Sequence, residues 1–445
     1  MKWKSYPEYR PSGAEWLGDI PAHWEVRRLK YVSSTSFSSV DKHTVDGEQS
    51  VRLCNYVDVY YHDHITPDLD FMAATATPEE IRRFTLKEGD VLVTKDSEEW
   101  DDIAVPAFVA GQFEGVLCGY HLAQVRVRLG RTDGRYLFRA FSARGINDQF
   151  RVEATGITRY GLSKYGLDNA SFLLPPLEEQ RAIAAFLDHE TARIDALIGR
   201  KERQIELLQE KRAALINHAV TCGLDPGAKM KDSGVEWLGE IPVNWETQRL
   251  KYISSCNDEA LEETTDPDFD FLYVDIGSVD QNAGIVTKEP MRFESAPSRA
   301  RRRVRHGDVI VSTVRTYLRA IAPVINPEPN LIVSTGFAVM RPKDGLDNAF
   351  AAYALRAPYF VDGVVARSVG VSYPAINASD LVALPIALPP LAEQRAIAAF
   401  LDRETARMDA ISAKVRDSIA TLREYRSALI SAAVTGKIDV RKEVA

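Results

Sequence analysis

Five arginines stand within seven residues, Arg299, Arg301, Arg302, Arg303 and Arg305, and His306 follows them. A run of fixed positive charge this dense suits phosphate oxygens; a solvated loop is the alternative. Thr313, Arg315, Thr316, Tyr317 and Arg319 come next, side chains able to hydrogen-bond base edges and phosphates. The corresponding place earlier in the chain holds Thr94, Lys95, Asp96, Ser97, Glu98 and Glu99. There Lys95 could donate to guanine, and Asp96 or Glu98 could accept from cytosine, with an ordinary acidic loop as the alternative. Arg159 and Tyr160, after Gly156, correspond to Tyr373 and Pro374, after Gly370. Polar side chains on a glycine turn suit a nucleic-acid groove or a domain-closing loop.

Catalytic constellations are missing. There is no Gly-x-Gly-x-x-Gly and no P-loop to cradle a nucleotide. No Asn-Pro-Pro-Tyr-like tetrapeptide, expected of a base-flipping amino-methyltransferase, occurs. Pro67-Asp68 and Pro267-Asp268 could open a nuclease metal site, but neither is followed by an acid-x-Lys at a sensible distance, so both read as turns. His62 and His64 flank Asp63 in a Tyr-rich stretch that reads as a surface loop, since the other ligands of a four-coordinate site are not evident. The expectation is therefore no catalytic residues and no metal. The four cysteines are scattered without Cys-x-x-Cys spacing, as in a reducing cytosol.

The elements that must position these residues occur twice. Leu174–Asp188 reads LPPLEEQRAIAAFLD and Leu388–Asp402 reads LPPLAEQRAIAAFLD, differing at one position, at an offset of 388 − 174 = 214. Ser12–Ser34 and Ser233–Ser255 form a second repeated pair (SGAEWLGDIP against SGVEWLGEIP) at an offset of 233 − 12 = 221. Such a period is far beyond the roughly 20–50 residues of a solenoid unit, so it marks a duplicated domain with a duplicated helix. The stretches between, His23–Leu173 and Asn244–Ala387, have diverged, keeping mainly LKEGDVLV against VRHGDVIV and ATGITRYGLS against SVGVSYPAIN. Both read as mixed: short β-branched runs after Gly-Asp turns, an alternating run Gln124–Arg128, and helical spacing in Tyr136–Gln149 and Asn348–Asp362.

Each repeated helix starts at a Pro-Pro pair, a favoured helix opening, with Glu178-Glu179 suited to the helix dipole. Apolar positions then recur at heptad spacing, through Leu208 and Leu215 in the first copy and Met408, Val415, Leu422 and Leu429 in the second. Gly223 with Pro226, and Gly436, mark the stops. About 45 residues of helix would reach ~65 Å unless kinked near Asp188–Glu190. One apolar stripe needs a partner, and the other copy supplies one as an antiparallel coiled coil; separate helices lying on their own domains are the alternative. Gln180, Arg181, Gln394 and Arg395 are polar positions of the repeated motif, candidates for subunit docking or for helix capping.

Taken together, SGVEWLGEIPxxW, the GDVLV turn and LPPLxEQRAIAxFLD before a long helix resemble the specificity (S) subunit of type I restriction–modification systems, over essentially the whole chain. The resemblance implies an α+β fold: two mixed α/β target-recognition domains joined by two long antiparallel coiled-coil helices, with an internal pseudo-twofold repeat. The expected segments are 1–174 (recognition domain), 175–222 (helix), 223–388 (linker, repeated segment and second recognition domain) and 389–445 (helix and tail). It further implies a non-catalytic subunit reading a bipartite site on double-stranded DNA. Two methyltransferase (M) subunits that bind S-adenosylmethionine, and restriction (R) subunits using ATP and Mg, would be its partners. The alternatives are a stand-alone DNA methyltransferase or nuclease, and a protein scaffold independent of DNA.

Net charge is −8, which argues against a surface basic throughout but not against a local basic face. No run approaches the ~18 apolar residues of a membrane span, and Met1–Arg10 lacks an apolar core, so the expected setting is cytoplasmic.

Overall fold

The computed structural model describes residues 3–100, 102–128 and 130–443. The chain divides into two compact units, Met1–Lys201 with Asp417–Ala445, and Glu202–Arg416. Neither boundary falls where the sequence segments end: each cuts through the middle of a long helix.

In the first unit the central sheet has five strands, ordered 33–37, 122–127, 91–94, 106–109 and 64–65, antiparallel except for the last pair. A three-stranded sheet (116–118, 49–54, 72–76) covers part of it. The second unit holds two four-stranded sheets, 254–256, 337–342, 309–312, 321–323 and 289–292, 270–274, 331–334, 300–303. The β-branched runs Val91–Thr94 and Val309–Ser312 are buried central strands, as their unbroken apolar character requires.

The Gly-Asp turn before each central strand carries a structural ion pair. Asp90 accepts the Lys87 N–H at 2.9 Å and the Arg126 guanidinium at 2.7 Å. Asp308 accepts the Arg305 N–H at 2.7 Å and Arg341 at 2.8 Å. Both carboxylates are buried. The alternating run Gln124–Arg128, read as a half-exposed strand, is buried at Gln124 and Val125, half-buried at Arg126 and Val127 and exposed at Arg128; Gln124 donates to Asp90 at 2.8 Å.

The helical stretches are each broken once. Gly134–Ser142 and Arg144–Glu153 are separated by Ala143, and Asn348–Ala354 and Pro358–Ala366 by residues 355–357. Phe141, Phe150 and Phe172 stack in the first core, with Phe141 centroids 5.5 and 4.9 Å from the other two. Phe350, Phe360 and Trp245 lie in the second core, together with Ile216 and Val220 from one long helix and Ile397 and Leu401 from the other.

The long helices are continuous: Leu177–Cys222, 46 residues, and Leu391–Val434, 44 residues. No break occurs at Asp188–Glu190. Positions 194, 198, 201, 205, 208, 212, 215 and 219 are all buried or half-buried, and so are their equivalents 214 residues on, from Met408 to Ala433. This four-three spacing is a coiled-coil seam, in which Leu208 and Leu422 are half-buried and Leu429 is buried.

Inside the second unit the helix halves run antiparallel. Arg212 pairs with Asp409, while further along Gly223 approaches Glu393. Inside the first unit Arg426 pairs with Asp195 at 3.0 Å. The two pairs are copies of each other, since 195 + 214 = 409 and 212 + 214 = 426. Gly436, at φ +71°, ends the second helix in a left-handed turn pressed on Pro21 and Trp24, where any side chain would collide.

Candidate nucleic-acid interface

Three segments meet at the end of strand 91–94. Lys95 N–H donates to His121 O at 3.1 Å, and Leu162 N–H donates to Lys95 O at 2.8 Å. Strand 96–97 pairs with 160–161, setting Tyr160 opposite Ser97. Gly156 makes the return possible: at φ +149° a Cβ there would stand 1.9 Å from Arg159 O. The side chains then converge. The Lys95 ammonium lies 4.4 Å from the Tyr120 ring centroid and 5.3 Å from that of Phe37. His121 Nδ1 stands 2.9 Å from Asp96 Oδ2 and 3.4 Å from Arg159 Nη2.

The cluster thus offers an ammonium, a guanidinium, a carboxylate and exposed aromatic faces, the groups that read base edges and stack on bases. Ser97 does not contribute, because it is buried and its hydroxyl accepts the Glu99 N–H at 3.2 Å. Sequence reasoning missed Tyr120 and His121. Both follow Gly119 between two strands, a turn carrying an aromatic and a histidine, and that signal was there to use.

The second unit builds the same place with other chemistry. Thr313 N–H and Oγ1 both donate to Gly336 O, at 2.8 and 2.9 Å, and Ile376 N–H donates to Thr313 O at 2.8 Å. Arg315 and Arg319 adopt left-handed conformations (φ 49° and 52°) on either side of a short 3₁₀ turn. Such strain in non-glycine residues persists only where surrounding structure holds it. The Arg315 guanidinium lies 4.9 Å from the Tyr373 centroid, with Tyr317 and Tyr373 exposed beside it. Thr316 is corrected: it is buried and hydrogen-bonds Ser368 at 2.8 Å, so it holds the loop rather than facing outward.

The middle of the arginine run is a strand rather than a loop. Ala300–Arg303 is an edge strand whose register shifts between Ala300 and Arg302, and its arginines take separate partners. Arg301 and Arg303 lie over Phe293 and Phe269, 4.6 and 5.8 Å from the centroids. Arg302 buries its Nε. Arg305 pairs with Glu259 at 2.6 Å, at the end of strand 309–312 opposite Thr313. Arg341 and Arg305 hold the Glu259 carboxyl below its usual range. Arg299 adjoins the Thr313 loop, because Thr335 N–H donates to Arg299 O at 2.7 Å; it also donates to Tyr273 Oη at 3.2 Å.

The motif glutamines are internal. Gln180 accepts Asp133 N–H at 2.9 Å and donates to Arg131 O and Pro175 O at 3.0 and 2.8 Å. Gln394 repeats this with Asp347, Gly345 and Pro389 at 2.7, 2.9 and 2.8 Å. Both are fully buried and out of reach of a docking partner. Arg181 and Arg395 are exposed and pair with Glu178 and Asp347 at 2.8 and 3.6 Å.

Pro67-Asp68 and Pro267-Asp268 are turns. His64 lies on a strand against Phe138, centroids 5.6 Å apart. Among the described residues no three His, Cys, Asp or Glu side chains are placed to hold a metal, and no helix is long and apolar enough to cross a membrane.

Each unit is built on β-sheets and carries a glycine-turn loop cluster and an antiparallel pair of long-helix halves, so the fold is duplicated. Residues 242–420 match the family described as "Type I restriction modification DNA specificity domain". The chain is 24% identical over 434 residues to the type I restriction enzyme MjaVIII specificity subunit of Methanocaldococcus jannaschii, covering 95% of this chain and 94% of that one. It is 23% identical to the EcoBI specificity subunit of Escherichia coli, over 73% and 70% of the two chains. Its fold is similar to that of the HsdS subunit of Thermoanaerobacter tengcongensis (TM-score 0.51, 19% identity, 94% and 98% coverage). It is also similar to a chain from "Structural basis underlying complex assembly and conformational transition of the type I R-M system" (TM-score 0.68, 19% identity, 93% and 98% coverage). The similarity to type I restriction–modification specificity subunits thus extends over nearly the whole chain.

Proposed function

We propose that this chain is the non-catalytic DNA-reading subunit of a cytoplasmic type I complex, with each unit reading one half of a bipartite double-stranded site. The observation that carries this is the pair of loop clusters at equivalent places with unlike chemistry. Lys95, Asp96, Tyr120 and Arg159 stand where the second unit has Thr313, Arg315, Tyr317 and Tyr373. Equivalent scaffolds with different donors and acceptors would read different half-sites, so the target need not be palindromic.

The long helices set the unspecified spacer. Two methyltransferase subunits dock on the duplicated surfaces and bring S-adenosylmethionine; restriction subunits bring ATP and Mg. A gel shift with duplex DNA in the presence of a methyltransferase subunit tests the reading, and no shift would overturn it. Methylome sequencing of a cell carrying the protein would then report both half-sites and the spacer. Methyl transfer by the purified chain alone would instead favour the stand-alone methyltransferase.

A further inference from the structure

The second unit contains a cavity of about 190 Å³ whose polar lining is made of donors. Arg212 and Gln209 come from the long helix, Arg319 from the end of the reader loop, Arg356 from the link between two short helices, and Gln281 and Asn282 from a turn. No carboxylate lines it. Arg212 and Arg319 are each matched by an acid outside the lining, Asp409 and Asp362.

Arg356 has no direct ion pair among the described residues, although the Asp402 carboxylate acts favourably on its charge. Its Nε donates to Ala352 O at 2.8 Å and its guanidinium lies 5.2 Å from the Tyr353 centroid, but among the described residues its two terminal nitrogens meet no acceptor. Burial works against this charge and lowers its pKa. A half-buried guanidinium without a direct ion pair, lining a cavity with three amides and two further guanidiniums, offers a place for an anion.

We infer that this cavity binds a phosphate group, held by Arg356 and Arg319 with Arg212 and the amides completing the donor set. The volume admits a phosphate with several waters, at ~30 Å³ per water. Because Arg319 closes the loop that carries Arg315 and Tyr317, the natural source is a backbone phosphodiester next to the bases that loop reads. This source rests on the DNA-reading proposal; a free phosphate has the same chemistry.

The first unit does not repeat the site. Its cavity at the equivalent junction is lined by Asp63, Asp188 and Asp195 as well as by Arg139 and Arg426, so its charges are matched internally. Position 423 there is arginine where the second unit has Gln209.

The test uses the full chain and Gln209→Glu, which sets a carboxylate in the cavity from an exposed position off the seam, with Arg356→Gln as a second variant. Inorganic phosphate at constant ionic strength should raise the Tm of the wild type and not of either variant. No rise in the wild type would overturn the cavity as an anion site. DNA affinity measured with the methyltransferase subunit against salt should then separate the sources. A log–log slope shallower by about 0.9 in Gln209→Glu supports a phosphodiester. An unchanged slope with the phosphate effect intact supports a free phosphate and overturns the phosphodiester. Loss of all DNA binding by the wild type would sink the reading function and leave the phosphate result standing.

Discussion

The Gln180 side chain accepts the backbone N–H of Asp133, and Asp133 in turn caps the helix Gly134–Ser142. One buried amide thus ties the start of the long helix to the helical layer of its recognition unit, and Gln394 does the same through Asp347. The near-identity of the two LPPLxEQR segments is explained by this joint as much as by any external partner.

Replacing Gln180 or Gln394 by alanine strands one N–H and two carbonyls in a dry site, each costing about 1–3 kcal/mol if left unpaired. We expect a loss of roughly 2–4 kcal/mol per variant, part of it recovered by water entering the space. Urea denaturation measures it, and a loss under 0.5 kcal/mol on the order of a surface change would contradict the joint.

Asp90→Ala leaves the half-buried Arg126 with the Thr85 carbonyl alone, whereas Asp308→Ala leaves Arg341 still paired with Glu259 and should cost less. Breaking such a pair costs about 3–5 kcal/mol, and partial exposure of both arginines points to the lower end. Chemical denaturation should show the loss in both variants.

The Arg212–Asp409 pair fixes helix register more than it adds stability. Asp409 is 61% exposed, so a double-mutant cycle should return a coupling of only about 0.5 kcal/mol. Swapping the two charges should restore what each single reversal loses; additivity of the two reversals would show that the pair is not formed in solution.

Lys95→Ala should relax base preference in one half-site and Arg315→Ala in the other, each weakening specific binding by about 1–3 kcal/mol. Exchanging His23–Leu173 for its counterpart from another such subunit should change one half only. Loss of preference in both halves from a single substitution would count against separate readers.

His64 predicts a pH effect of definite sign. Burial first, then Arg139, holds its pKa below the ordinary value. Above about pH 6.5 folded and unfolded chains are both neutral there, and nothing changes. Below it the unfolded chain takes the proton first, so stability falls with pH until the folded pKa is reached. His64→Asn should therefore lose less stability than the wild type between pH 7.5 and 5.5 in matched urea titrations.

Duplication, continuous long helices, heptad seams, helix stops and the two glycine-turn loops were all legible in the residues, because each rests on local spacing or on comparison of one half with the other. Lys95, Asp96, Arg159 and Tyr160 were legible as site candidates for the same reason, and they do come together. What only the tertiary structure decided is which polar groups remain outside. Gln180, Gln394, Ser97 and Thr316 read as surface chemistry and are buried: the glutamines satisfy backbone groups of a segment 47 residues away, Ser97 caps the Glu99 N–H, and Thr316 meets the Ser368 hydroxyl. Five arginines read as one patch, yet three of them lie on an irregular edge strand and their guanidiniums take separate partners. Sequence spacing sets which side chains share an element; the pairing of elements far apart in the chain sets which of them meet water, and therefore which are free to meet DNA.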